Sequence, residues 1–223
     1  MNVPPARWNW LAALAEQRFA IIHDLVPLAL VDALRDEARC LHRDDQLARA
    51  GIGRAGEHAV DGDIRTDRIA WLGRESEAQA AYLDLMETVR LEVNRALLLG
   101  LWSYEAHFAA YEPGGHYARH LDAFRGARNR ILSTVLYLNP DWRPDDGGEL
   151  AVFPAGSGAG EAPLFLVLPE AGAFVAFLSE EVPHEVRIAR RTRYSVAGWF
   201  RVNDRLGAPA LQPPAGPVPR SLP

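Results

Sequence analysis

Tyr111–Asp122 reads YEPGGHYARHLD, and Pro183–Trp199 reads PHEVRIARRTRYSVAGW. The first stretch leaves an apolar run at Tyr111, breaks at Pro113-Gly114-Gly115 and resumes as Tyr117–Asp122. His120 and Asp122 are two residues apart, so on a β-strand both project from one face. In the second stretch, Val182–Ile188 and Tyr194–Phe200 are rich in β-branched and aromatic residues, and Arg190-Arg191 between them reads as a turn. A two-residue hairpin turn would set Ile188 opposite Arg193 and His184 opposite Ala197. His184, Val186 and Ile188 would then share a face with Arg193, Ser195, Ala197 and Trp199.

That face carries a chemistry. Two imidazoles and one carboxylate around a metal leave open positions, which is the donor set of non-haem Fe(II) oxygenases. An H-x-D tripeptide alone is a weak signal, since a structural His beside a surface Asp reads the same way. Arg193 sharpens it. A guanidinium buried behind a metal site costs several kcal/mol unless an anion meets it, so its partner is expected to be a bound carboxylate.

Outward from these stretches the chain divides in two. Trp8–Gln17 reads as a short helix, Phe19–Ile22 as a strand, and Pro27–Ala50 as a helix with Pro in its first turn. Glu77–Leu98 is a second amphipathic helix, with Tyr82, Leu85, Met86, Val89, Val93 and Leu97 on its inner side. From Trp102 the period shortens to strands at Trp102–Tyr111, Ile131–Leu138, Glu149–Phe153, Leu164–Leu168 and Ala173–Leu178. Many short, evenly spaced strands argue for a sandwich or barrel. Gly51–Asp63, with four glycines, and Ala155–Ala162 read as mobile loops. Asp204–Pro223 is Pro-rich and reads as an extended tail, leaving residues 1–203 as one domain: a helical part to about residue 100, then the strands.

Composition narrows the function classes. A chain of 223 residues with 48% hydrophobic content buries one sizeable core. A net charge of −5 argues against a dedicated nucleic-acid or anionic-membrane binder. The single cysteine, Cys40, precludes an intramolecular disulfide and fits a reducing, cytoplasmic compartment. Leu11–Ala15 is too short for a signal-peptide core, and no run reaches the eighteen or so apolar residues of a membrane span.

Other polar groups have plainer readings. His116 lies four before His120, a zinc spacing on a helix, but Gly114-Gly115 argue for a loop. His107 alternates with Glu105, Ala109 and Tyr111, so it walls whatever pocket Tyr111 lines. Asp145-Asp146, between Pro144 and Gly147-Gly148, reads as a surface turn. His23, His42 and His58 have no supporting pattern.

Several motifs in register resemble one family. DIRTDRIAWL at Asp63–Leu72, the YEPGGHYARHLD run, NRILSTVLYLNPDW at Asn129–Trp142, GGEL at Gly147–Leu150, Phe153-Pro154, and PHEV with TRYSVAGWF to Phe200 are similar to the 2-oxoglutarate- and Fe(II)-dependent prolyl hydroxylases, closest to the hypoxia-factor type and its bacterial relatives. The resemblance implies an α+β fold with a double-stranded β-helix (jelly-roll) core and N-terminal helices on one outer face. It assigns His120, Asp122 and His184 to Fe(II). Arg193 and the Tyr137 hydroxyl would hold the distal carboxylate of 2-oxoglutarate, with Tyr111 near its metal-side end and Leu150 as an apolar wall. Arg130 and Trp199 match substrate-binding positions at the pocket mouth, and Arg65 and Asp67 a charged pair ending a capping loop; core packing is an equal reading for Trp199 and Leu150.

The activity so implied couples O2 and 2-oxoglutarate to succinate, CO2 and 4-hydroxyproline in a protein or peptide, with ascorbate as an accessory reductant. For the bacterial relatives the substrate candidate is elongation factor Tu. Two alternatives compete: an oxygenase of the same fold acting on a free amino acid or small metabolite, and a catalytically inactive jelly-roll binding module. Gly51–Asp67 and Arg130 speak against the first, and retention of all three ligands and Arg193 against the second.

Overall fold

The computed structural model describes residues 8–50, 64–123, 129–158 and 160–202. Gly51–Asp63 and Asp204–Pro223, expected to be loop and tail, lie outside the described residues. Three helices, α1 (Trp10–Gln17), α2 (Leu28–Arg43) and α3 (Glu77–Leu97), precede or interleave with the first strands, β1 (Phe19–Ile22), β2 (Ala48–Arg49) and β3 (Arg68–Trp71). Then follow β4 (Ser103–Tyr111), β5 (Tyr117–His120), β6 (Arg130–Tyr137), β7 (Leu150–Val152), β8 (Phe165–Val167), β9 (Phe174–Leu178), β10 (His184–Val186) and β11 (Arg193–Arg201). A seven-stranded sheet runs β1-β9-β6-β11-β4-β3-β2, and a four-stranded sheet runs β5-β10-β7-β8. All their ladders are antiparallel. This is the expected jelly-roll sandwich.

Strand alternation splits the interior into two cores. On the outer face of the large sheet, Ala106, Phe108, Leu132, Leu136, Phe174, Ala176, Val196 and Phe200 pack under the helices. There they meet Val31, Leu34 and Ala38 of α2 and Tyr82, Met86, Val89 and Val93 of α3. Each fully buried aliphatic or aromatic side chain in this layer contributes about 1.5–3 kcal/mol. Gly198 is required in it, because a Cβ there would collide with the Tyr104 hydroxyl, which bonds Thr134 Oγ1 at 2.9 Å and Tyr82 at 3.2 Å. The inner face supplies the second cluster, in which Tyr111, Tyr137, Val175 and Phe177 meet Leu150, Val152 and Val186 of the small sheet.

Two expectations need correction. The helix expected over Pro27–Ala50 ends at Arg43. Asp45 takes a left-handed conformation (φ +54°), and the Gln46 N–H returns to the Leu41 carbonyl at 2.8 Å, a helix-closing turn usually built on Gly. Ala48–Arg49 then pairs with β3.

The hairpin expected between Val182–Ile188 and Tyr194–Phe200 does not form either. β10 pairs with β5 and β7 in the small sheet, whereas β11 pairs with β4 and β6 in the large one. The linking backbone bonds elsewhere: Ala189 N–H to Gly115 O at 3.0 Å, and Arg190 N–H to Asp146 O at 2.7 Å. His184 and Arg193 therefore face a common interior from opposite sheets rather than along one ribbon.

Candidate active site

His120 ends β5 and stands in register opposite His184 on β10. Asp122 lies just past the end of β5, so the bend after the strand, not strand alternation, brings it to the two imidazoles. His120 Nδ1 contacts Ala118 O at 2.8 Å and His184 Nδ1 contacts Val182 O at 2.9 Å. A carbonyl only accepts, so both Nδ1 atoms carry hydrogen and both Nε2 lone pairs are free for a metal. Those Nε2 atoms lie 3.5 Å and 3.8 Å from Asp122 Oδ1. One ligand atom from each of the three residues falls within 4.8 Å of the others, the one such cluster among the described residues.

The electrostatics suit a cation. Burial works against the charge on Asp122, yet His184, His120 and a hydrogen bond from Ser133 hold its carboxyl well below the usual carboxylate range. Burial, then His120, pushes His184 down to about 4, so it is neutral at physiological pH. An ionised carboxylate beside two imidazoles whose Nε2 atoms face it fits Fe(II).

At the other end of the interior, Arg193 opens β11 in register with Tyr111 of β4, and Ser195 with Tyr137 of β6. Arg193 is 2% exposed. Its Nε donates to Gly148 O at 2.8 Å and its Nη1 to Ser195 Oγ at 3.4 Å, with no acidic side chain in ion-pair range among the described residues. Its guanidinium carbon lies 5.1 Å and 5.0 Å from the Tyr111 and Tyr137 ring centroids. The Tyr137 hydroxyl is buried with no hydrogen-bond partner among the described residues. Burial raises the Tyr137 and Tyr111 pKa values, so both are neutral donors. A buried cation without an anion beside an unsatisfied hydroxyl is a cradle for a carboxylate. Leu150, buried on β7, adds apolar wall.

The open end is aromatic. Arg130 stacks over Trp199 at 3.8 Å and is held by Glu105 at 2.8 Å, which also binds Arg201 at 3.0 Å. Trp199 is 7% exposed and its Nε1 is buried without a partner among the described residues. Trp71, 45% exposed, meets the edge of His107. Arg65 and Asp67 form a two-pronged ion pair at 2.6 Å and 2.8 Å, with Asp67 2% exposed. Arg65 also covers Tyr117 at 4.8 Å, and Tyr117 stacks on His120 at 3.6 Å. The pair therefore braces a ligand-bearing ring.

Ser133 was missed. It is buried, in register opposite Trp199, shares a hydrogen bond with Ser179 (2.8 Å) and helps keep the Asp122 carboxyl ionised. Counting back by twos from Tyr137 would have put it on the inner face; a lone Ser in an apolar strand otherwise gives no signal.

Comparison with known proteins agrees with this geometry. Residues 106–201 match the model of the 2OG-Fe(II) oxygenase superfamily. Egl nine homolog 1 of Homo sapiens is 29% identical over 190 residues, 81% of this chain and 43% of that protein; the chain spans about half the length of the curated relatives it matches. A Pseudomonas putida prolyl-4-hydroxylase structure is 40% identical, covers 88% of this chain and 100% of its own, and superposes with a TM-score of 0.78. A Trichoplax adhaerens prolyl hydroxylase, solved with a hypoxia inducible factor peptide fragment, shares the fold at 22% identity, TM-score 0.74, over 86% of this chain and 87% of its own. With ligand triad, carboxylate cradle and a fully covered 40%-identical relative in agreement, the chain belongs to the prolyl hydroxylase family of 2-oxoglutarate- and Fe(II)-dependent oxygenases.

Proposed function

We propose that this protein hydroxylates a proline at C4 within a protein or peptide, consuming 2-oxoglutarate and O2 and releasing succinate and CO2. The observation that carries the reading is Arg193, a buried guanidinium with no acidic partner, facing the same interior as His120, Asp122 and His184. Bound iron together with 2-oxoglutarate would supply the oxidising power for an unactivated C–H bond. The protein's part is positioning. Arg193 and the Tyr137 hydroxyl receive the distal carboxylate of the co-substrate, while Tyr111 and Leu150 fix its body and exclude water. Ser133 and Tyr117 hold Asp122 and His120 in place.

The substrate approaches past Trp199, Arg130 and the Arg65–Asp67 pair. A rim of stacked aromatic and guanidinium planes suits an extended peptide better than a free amino acid, whose two charges would need their own partners. Elongation factor Tu, implied by the bacterial resemblance, is the first protein to assay. Among the described residues no helix is long and apolar enough to cross a membrane.

The test is anaerobic reconstitution with Fe(II), 2-oxoglutarate and ascorbate, exposure to air with cell lysate, and mass spectrometry for prolines gaining one oxygen. Succinate formation stimulated by free proline but by no protein would favour the metabolite enzyme. No succinate under any condition would favour the inactive binding module.

A further inference from the structure

His107 is a third imidazole facing the interior, and the chemistry above does not use it. It pairs in register with Ala197 of β11 and Trp71 of β3, placing it beside the rim. The ring is 2% exposed and clamped by Trp71 at 5.2 Å, edge-on at 88°, and by Trp199 at 5.4 Å. Its Nδ1 meets Phe108 O at 3.1 Å, so by the carbonyl argument Nδ1 carries hydrogen and Nε2 is an acceptor. Nε2 has no hydrogen-bond partner among the described residues. Burial, then Arg65, pushes the pKa of His107 down to about 4, so the ring is neutral at physiological pH.

Next to it stands the buried indole N–H of Trp199, without an acceptor among the described residues. The buried indole donor is costly to leave unmet unless a ligand completes it, and the Nε2 acceptor on the adjoining ring is free to engage the same ligand. Neither ring carries charge, and the nearby guanidiniums of Arg65 and Arg130 are already engaged by Asp67 and Glu105. A charged head-group is therefore poorly matched there. A backbone amide, with one N–H and one C=O, matches both rings.

We propose that His107 is a specificity-determining residue whose Nε2 accepts a hydrogen bond from a backbone N–H of the substrate, while the Trp199 indole donates to a carbonyl of the same segment. Proline has no N–H, so the donor belongs to a residue flanking the target proline. This rests on the protein-substrate reading and deepens it: recognition at this wall is of peptide backbone rather than side-chain charge.

The probe is a set of N-acetylated, C-amidated pentapeptides with a central proline, assayed with iron-loaded enzyme. On the best wild-type substrate, His107→Phe, which keeps the ring and removes the acceptor, should raise the peptide KM tenfold or more. The kcat and the KM for 2-oxoglutarate should move less than threefold. His107→Gln restores an acceptor and should recover part of the loss. Replacing each flanking N–H in turn by an ester oxygen should cost wild type tenfold at one position and cost His107→Phe nothing further there, the non-additivity expected of two partners in one bond. Should His107→Phe fail to fold, the ester series on wild type decides, and an ester tolerated at every position overturns the proposal. An unchanged peptide KM in a folded His107→Phe, or fully additive penalties, overturns it too while leaving the protein-substrate reading intact. Wild type that forms succinate yet hydroxylates no peptide in the set, and no protein in lysate, overturns that reading and the role of His107 with it.

Discussion

Gly148 and Arg193 are locked together across the two sheets. The glycine carbonyl, immediately upstream of β7, accepts from Arg193 Nε at 2.8 Å, and a Cβ on Gly148 would lie 3.1 Å from Arg193 Cδ. Gly148 also has φ +69°, a conformation an L side chain adopts only under strain. Conformation and close approach both disfavour a side chain here, and together they aim the guanidinium.

Co-substrate affinity should report that lock. Arg193→Ala leaves a carboxylate unpaired in a buried site, at about 2–5 kcal/mol, so the 2-oxoglutarate requirement should rise tens-fold or more. Gly148→Ala displaces the guanidinium without removing it and should raise the requirement by a smaller factor. Tyr137→Phe deletes one neutral donor and should cost least. The KM for 2-oxoglutarate, read from succinate formation, ranks the three; equal and slight effects would put the carboxylate elsewhere.

Iron retention should depend on each ligand. His120→Ala, Asp122→Ala and His184→Ala each leave two protein donors. Each should lose most bound Fe(II), measured by anaerobic equilibrium dialysis, together with turnover. Wild-type iron stoichiometry in any one of them would remove that residue from the site.

Acid stability should carry the signature of His107. Its folded pKa is about 4 and the ordinary value 6.5, so between those pH values the unfolded chain binds more protons. Stability is thus lost as pH falls from 6.5 towards 4 and is flat in this group's contribution above that window. The full difference is on the order of 3 kcal/mol. In iron-free protein, urea midpoints of His107→Phe should fall less steeply over that window than those of wild type; parallel slopes would mean the ring is not neutral in the fold.

The Glu105 bridge should matter more for substrate than for stability. Its pairs with Arg130 and Arg201 are about a quarter exposed on the carboxylate side, so breaking them costs roughly 1 kcal/mol or less. Glu105→Gln nevertheless releases Arg130 from its stack on Trp199. Thermal melting should therefore shift by only a few degrees, while hydroxylation of a protein substrate falls severalfold. Arg130→Ala should lower that hydroxylation more than it lowers substrate-free succinate formation.

The sequence was most legible where one residue decides its own geometry. Strand alternation put Arg193, Ser195 and Trp199 on one face, and His107, Ala109 and Tyr111 on another, and the register of β11 with β4 merges the two faces. The motif run supplied the ligand triad. What could not be read was which strands pair. Val182–Ile188 and Tyr194–Phe200 are both rich in β-branched and aromatic residues and are joined by a basic, turn-like link, so local pattern allows a hairpin; long-range pairing, with β5 and β7 for one and β4 and β6 for the other, divides them between sheets. The end of α2 was hidden for a related reason: Asp45, rather than the usual Gly, takes the left-handed position.

The alternation along β11 has a genetic consequence. Val196 and Phe200 anchor the helical layer, and Arg193, Ser195 and Trp199, offset by an odd number of residues, face the opposite way. A side-chain change on either face leaves the other in register, so specificity at the rim can drift while the scaffold stays intact. A one-codon insertion or deletion within the strand inverts every later side chain. Natural variants of this protein should therefore almost never carry a length change within β11.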